Sequence, residues 1–392
     1  MKENKDLMVI DQINENIDTL KNKKSKLYFF VFDSYGVPNS HLAYIYEIAK
    51  TYKDNGYDVS MLYQLQGEYT EAELHKRRKS GKSIDNERIF FGVEKWLGKE
   101  YSNIPHINVA HYEWKVSPSD ILFIPEITSS FMFQTHQHKA KCKRVVILQD
   151  FSRVTDFIPV GVEWSNYGIF DVIAKTERQA ELIKTVFPYV KVQVLEPLVS
   201  KKFDYNNEPK KLNVSVISKN QRIINQIVKN FYWKYPIYKF VSFSDLRNLN
   251  IDTYASKLKE SAITVWVDDE TTFGSSALEA IKANNILIGK LPNDVPSWMK
   301  NSDGDMRDCA VWTYDINTIP DILSNVIGAW MQDEIPNELY SSMDEVKGIY
   351  NEEKWNANSI LTLDKIVEEH INSLESVKKS IEDKLEKEKV EG

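Results

Sequence analysis

The sequence predicts an α/β protein with two parallel-sheet domains in series. Short unbroken apolar runs alternate with segments of helical period along most of the chain. After the first group of strands comes a polar, two-proline stretch, "PLVSKKFDYNNEPKK", and the alternation then starts afresh. A length of 392 residues suits two domains of ordinary size plus tails. Apolar runs without an alternating polar face mark strands covered on both sides, as in parallel sheets flanked by helices.

The elements follow in order. "MKENKDLMVIDQINENIDTL" places Leu7, Ile10, Ile13, Ile17 and Leu20 on one helical face, so residues 1–25 read as an amphipathic helix. It either packs on its own domain or docks a protein partner. "KLYFFVFD" is a buried strand, "SYGVPNS" a loop, and His41, Leu42, Ile45, Ile48, Ala49 and Tyr52 recur at helical spacing. Ser40 is the expected cap of that helix and Gly56 its end, and "DVSMLYQL" completes a βαβ unit. Residues 66–103 break the rhythm with basic "HKRRKSGK" and aromatic "FFGVEKWLGKEY". This insertion reads either as an acceptor-binding arm for polyanions or sugars, or as a solvated excursion. "DILFIPE", "RVVILQD", "DVIAKT" and "VKVQVLE" continue the strands of a first domain over 26–200. "LNVSVIS", "YKFVSF", "AITVWV" and "ILIG", with intervening helices, make a second over 201–345. Residues 346–392 read as C-terminal helices with a Lys- and Glu-rich tail, a second place for a partner to dock.

The bulk numbers narrow the function. A formal net charge of −7 argues against a protein that coats nucleic acid, although it leaves room for a local basic groove. The two cysteines, Cys142 and Cys309, lie far apart, outside any metal-ligand spacing, and read as free thiols of a reducing compartment. No apolar run reaches the ~18 residues of a membrane span, so a cytoplasmic location is expected. His136 and His138 at i and i+2 of a helix face apart and make a poor metal pair. The Asp303–Asp305 turn lacks the further ligands of a calcium loop, so no metal site is expected.

The most organised stretch is "DDETTFGSSALEAIKANNILIG", which follows the "AITVWV" strand. Ligands of doubly wound sheets bind at the carboxyl ends of strands, which is where Asp268 to Ser276 fall. A helix starting near Gly274 offers free amide groups beside Ser275 and Ser276, a seat for an anion. Glu279, one turn on, can accept hydrogen bonds from ribose hydroxyls. Phosphate seat and carboxylate together describe a nucleotide site.

"FGSSALEAIKANNILIG" resembles the donor-site signature of GT-B glycosyltransferases of the retaining E-x7-E type, with Phe273, Gly274, Leu278, Glu279 and Ala280 in register. "DVIAKTERQAELIKTVF", "VKVQVLEPLVSKKF" and "NQRIINQIVKNFYWKYP" resemble further parts of that fold, so the likeness in order covers most of 26–345. The resemblance implies two Rossmann-like domains facing across a cleft, here with a C-terminal helical extension. It implies transfer from a nucleotide-sugar donor with retention and without a metal or other cofactor. Glu279 would hold the ribose, Lys219 and Arg222 the diphosphate, and Gly274, Ser275 and Ser276 phosphate or sugar oxygens. Thr271 and Glu270 would contact the donor sugar, with Gln149 and Asp150 facing it from the first domain; Glu270, Gln149 and Asp150 are the candidates for catalysis. Thr271 stands where the pattern has its first Glu, with Glu270 one residue early, and Gln149 stands where the family often has a His. These departures leave a second reading, a catalytically degenerate GT-B-fold binding or structural protein. The acceptor is open: glycan, lipid-linked sugar, protein or modified nucleic acid.

Overall fold

The computed structural model describes residues 2–69, 71–81, 89–110, 114–137 and 141–391. It divides into two compact units: Met1–Leu195 with Ala357–Gly392, and Glu196–Asn356.

The first unit holds a seven-stranded parallel sheet: β1 (Lys26–Phe30), β2 (Asp58–Tyr63), β3 (His106–Asn108), β4 (Ile121–Pro125), β5 (Lys143–Leu148), β6 (Asp171–Ala174) and β7 (Lys191–Val194). Their order is β3-β2-β1-β4-β5-β6-β7, so the strand order reverses between β1 and β4. Apolar content sets position in the sheet. Central β4, "ILFIP", is buried along its whole length, whereas edge strand β7, "KVQV", is not. Strand β3 was not expected, because three residues are too few to show a period.

Helices α1 (Lys2–Lys21), α2 (Ser40–Asp54), α3 (Glu71–Lys79), α4 (Ser129–Gln137), α5 (Phe151–Phe157) and α6 (Glu177–Val186) belong to this unit. The cap of α2 is Asn39 rather than Ser40. Asn39 has extended backbone, and its side-chain oxygen accepts from the amides of both His41 and Leu42. Helix α1 buries Ile13, Ile17 and Leu20 but leaves Leu7, Met8 and Val9 exposed.

The second unit holds β8 (Lys211–Ser218), β9 (Ser242–Asp245), β10 (Ser261–Val267), β11 (Ile286–Lys290) and β12 (Val311–Thr313), all parallel, in the order β12-β11-β10-β8-β9. Here the reversal falls between β8 and β10. Around the sheet lie α7 (Gln221–Lys234), α8 (Ile251–Glu260), α9 (Ser275–Lys282), α10 (Ile319–Met331) and α11 (Asn337–Ile349). The stretch read as a linker is part of this unit's core: Val199 and Phe203 are buried against it, and Lys282 Nζ donates to the Val199 carbonyl at 2.9 Å. Two apolar anchors thus fix a segment whose composition is otherwise that of a connector.

The last element, α12 (Glu352–Glu391), is one 40-residue helix, so the charged tail is helical to Glu391. Its residues from 357 onward belong to the first unit. Leu363 and Ile366 are buried there, His370 Nε2 lies 2.7 Å from the Pro118 carbonyl oxygen, and Lys191 pairs with Glu369. Among the described residues no helix is long and apolar enough to cross a membrane.

Candidate functional site

At the carboxyl edge of the second sheet, β10 ends and the chain crosses Asp268 to Gly274 before α9 begins. Gly274 has φ +77°, a left-handed conformation that a residue with a side chain adopts only at a cost. Space is also short. A Cβ there would lie 3.1 Å from Met299 Cε and 3.6 Å from the Trp266 and Trp298 rings. Trp298 Nε1 donates to the Phe273 carbonyl at 2.6 Å, and Thr271 Oγ1 accepts from the Gly274 amide at 2.9 Å. The turn is therefore held from both sides. No side chain caps α9, whereas Asn220 caps neighbouring α7 by accepting from the Arg222 amide. The amides of Ser275 and Ser276 at the α9 N-terminus thus have no side-chain cap, and the positive end of the helix lies behind them. Ser275 is half-buried beside them, and Ser276 Oγ accepts from Trp266 Nε1 at 3.0 Å.

The charges around this turn are arranged in pairs. Lys219, just past β8, meets Asp268, just past β10, with its ammonium 3.2 Å from the carboxylate. The pair spans the point where the strand order reverses, which is where ligands of open α/β sheets bind. Asp269 is paired with Lys290 at the end of β11. Glu270 is exposed and has no ion pair among the described residues. The same holds for Arg222, in the first turn of α7. Glu279 is half-buried and faces the Tyr254 hydroxyl of α8, whose ring packs edge-on against Phe203 at 5.5 Å. Burial pushes the Glu279 carboxyl up to about 7, and the Tyr254 hydroxyl draws it part of the way back.

The first unit carries a separate polar cluster at the carboxyl edge of its own sheet. Gln149, just past β5, is buried, and its side-chain oxygen lies 3.2 Å from His41 Nδ1. Glu126, just past β4, is fully buried, and its two oxygens accept from the backbone amides of Gln149 and Asp150 at 3.0 and 3.1 Å. Burial raises the pKa of the Glu126 carboxyl, while these amides and the nearby Lys175 lower it. Gln179 donates to the Gln149 carbonyl at 3.3 Å. Asp150 caps α5, accepting from the Ser152 amide and hydroxyl at 3.0 and 2.9 Å. One carboxylate oxygen of Asp150 is thereby occupied. The Gln149 side-chain nitrogen is buried without a hydrogen-bond partner among the described residues.

The second unit therefore brings together Lys219, Arg222, Glu270, Thr271, Phe273, Gly274, Ser275, Ser276 and Glu279 along the ends of β8 and β10, the first turn of α7 and the front of α9. Gln149 and Asp150 lie together in the first unit. Phe273 is a packing residue, buried with its ring 5.7 Å from that of Tyr350. Sequence reasoning did not single out Glu126, His41 or Lys175, and named Asp268 only as part of the strand end. Glu126 does end the "DILFIPE" run, and a carboxylate closing an apolar strand is the available signal. His138 lies outside the described residues, as do residue 70 and residues 82–88 of the insertion. Among the described residues no group of three His, Cys, Asp or Glu side chains is placed to hold a metal ion.

No family model matches the chain, and no curated protein sequence matches it. Solved structures do. The pneumococcal O-GlcNAc transferase GtfA, in complex with UDP and GlcNAc, superposes with a TM-score of 0.58 at 9% identity, covering 88% of this chain and 99% of that one. S. aureus TarM, in a mutant form with fondaparinux, alpha-GlcNAc-glycerol and UDP, gives 0.56 at 10% identity, with 86% and 99% covered. An alpha-glucosyltransferase with UDP and a 13-mer DNA containing an HMU base gives 0.53 at 10% identity, with 86% and 98% covered. The chain has the GT-B fold of these glycosyltransferases.

Proposed function

We propose that this chain is a glycosyltransferase that moves a sugar from a nucleotide-diphosphate donor to an acceptor hydroxyl, with retention and without a metal. The observation that carries the reading is the N-terminus of α9: a left-handed glycine, Gly274, opens an uncapped helix at the carboxyl end of β10. Lys219 and Arg222 lie on the neighbouring strand end and helix start, and Glu279 is one turn inside. In this scheme the amides of Ser275 and Ser276 receive phosphate oxygens, and Lys219 and Arg222 offset the charge that grows on the leaving diphosphate. Glu279 accepts from the ribose hydroxyls. The bond between the anomeric carbon and the phosphate oxygen breaks, the acceptor oxygen bonds to that carbon on the same face, and the acceptor proton passes to the departing phosphate. Glu270, the unpaired acid of the three, contacts the donor sugar. In the first unit, Gln149 and Asp150 are the residues proposed to take part in the reaction.

UDP is the first nucleotide to test, because the solved complexes named above hold it. Calorimetry is expected to show UDP binding that Glu279→Ala weakens by about 1.5–3 kcal/mol, the size of a charge-assisted hydrogen bond. Unchanged affinity would remove Glu279 from the site. Turnover is then measured with a panel of UDP sugars, first as donor hydrolysis and then with glycan, lipid-linked, protein and modified-DNA acceptors.

A second reading, a binding protein that has lost transfer, draws on specific contacts. Thr271 brings no carboxylate to the position that would carry one, and its hydroxyl oxygen is engaged by the Gly274 amide. Lys219 is paired with Asp268 before any diphosphate arrives. UDP binding without turnover on the whole panel would favour that reading.

A further inference from the structure

We infer that the second unit has a membrane-docking face at the C-terminal end of α7, built to sit on an anionic lipid surface. Trp233 is 75% exposed, Ile237 77% and Phe240 61%. They fall within eight residues, where α7 ends, a short 3-10 turn over Pro236–Tyr238 follows, and the chain enters β9. Helix α7 already has a core face in Ile224, Ile227 and Phe231, all buried, and Trp233 lies two residues past Phe231 on the other side.

Phe240 is held in place by a chain of rings that leads to the core. Tyr238 stacks on buried Phe231 at 5.9 Å, and Phe240 lies edge-on to Tyr238 at 6.1 Å. The Tyr232 hydroxyl donates to the Val241 carbonyl at 2.5 Å, which fixes the reversal. Three large apolar groups exposed within eight residues of a packed helix end make a candidate binding surface.

Charge selects the occupant. From Pro209 to Ser244 the sequence has no Asp or Glu, and the part of it that forms this face carries Lys229, Lys234 and Lys239, in a chain whose net charge is −7. Lys229 lies one helical turn before Trp233, and Lys239 sits between Ile237 and Phe240; both are exposed. Lys234 is paired with Asp321 of α10. Tryptophan, phenylalanine and isoleucine interleaved with lysine is the composition of interfacial anchors, whose rings enter the headgroup region while the ammonium groups meet lipid phosphates. The face also lies where β9 begins, at the sheet edge opposite the nucleotide seat, so docking leaves that seat open.

Trp233 reports on its own docking. Of nine tryptophans it is the one that is exposed; the other eight are buried or half-buried. The full chain is mixed with vesicles of phosphatidylcholine, with and without phosphatidylglycerol. Cosedimentation with the anionic vesicles is expected, with a blue shift of the emission and loss of its quenching by acrylamide. Trp233→Phe should keep the binding and lose the shift. Trp233→Ser with Phe240→Ser should lower partitioning at least tenfold. Lys229→Gln with Lys239→Gln should lower it by tenfold or more, since each surface lysine contributes about fivefold. These positions are exposed, so circular dichroism should show the fold unchanged. No binding of the wild type to either vesicle would overturn the inference, as would binding that neither double variant reduces. A dimer that these same substitutions dissociate would overturn it as well, and assign the face to a second copy.

Discussion

Glu279 carries two opposed requirements, and they make it testable. A carboxylate that binds ribose hydroxyls must be ionised, yet burial holds its pKa up to about 7. UDP affinity should therefore be full above pH 7 and fall as pH drops through that value, by up to tenfold per unit. Glu279→Gln should flatten the profile. The stability effect has the opposite sign. Because the folded pKa lies above the unfolded one, the folded state binds more protons between the two values, and stability falls as pH rises from about 4.5 to 7. Glu279→Gln should thus raise the melting temperature at pH 8 while weakening UDP. A residue that lowers stability and supports binding is one kept for function; a lower melting temperature in the Gln variant would argue for a structural Glu279. The neighbouring acids separate by their contacts. Asp268 and Asp269 are each engaged by a lysine, so Glu270 is the acid left for the donor sugar. Glu270→Gln is expected to reduce transfer by tenfold or more with UDP affinity nearly unchanged, the pattern of a group whose contribution grows in the transition state. Equal turnover in the variant would remove Glu270 from the reaction.

The element that organises these residues is α9 with the turn before it. An N-terminus usually closes on a side-chain oxygen, as α7 does on Asn220; α9 starts instead on a left-handed glycine with no cap. That exception was legible in sequence, because "VWVDDETTFGSSALEA" shows a buried strand, a glycine and a helical period in succession. The partners of the turn were not. Trp298 reaches the Phe273 carbonyl from 25 residues away and Trp266 reaches Ser276 from inside the strand, and no local pattern encodes either contact. Gly274→Ala tests the element. The left-handed backbone costs an L residue about 1–2 kcal/mol, and the new methyl must displace the end of the Met299 side chain. We expect a melting temperature lower by a few degrees and a loss of UDP affinity larger than that strain alone, because the amides of Ser275 and Ser276 turn with the backbone. Wild-type affinity in a destabilised Gly274→Ala protein would show that these amides do not hold the phosphate. The other sheet illustrates the limit of local reading. Gln149 and Asp150 were visible at the end of an apolar run, but Glu126, which grips both their amides, sits 23 residues earlier and was named only as a strand end.

At the scale of the whole chain, two sheets were legible because each has its own run of strand and helix periods, but the path of the C-terminus was not. The apolar face of α12, with Leu363, Ile366 and His370, announces burial without saying against what. The structure joins residues 357–392 to the first unit, so that unit is assembled from two separate pieces of sequence, whereas Glu196–Asn356 is continuous. The two should then behave differently when cut apart. A chain of residues 196–356 keeps its own sheet, the buried anchors Val199 and Phe203, and the contact of Trp355 Nε1 with the Glu196 carbonyl at 2.7 Å. It is expected to fold alone and to bind UDP within about tenfold of the full chain, because Glu279, Gly274, Lys219 and Arg222 all lie inside it. A chain of residues 1–195 loses the side chains that cover Tyr57 and the Pro118 carbonyl, where Asp364 and His370 now dock. Exposing that apolar and polar surface together removes several favourable contacts from a fold whose net stability is only about 5–15 kcal/mol. It should be poorly soluble and regain cooperative unfolding when residues 357–392 are added back as a separate peptide or by fusion. Cooperative melting of 1–195 without the peptide, at the temperature seen with it, would show that α12 is an accessory. Failure of 196–356 to bind UDP while folding normally would place an indispensable part of the nucleotide site in the first unit.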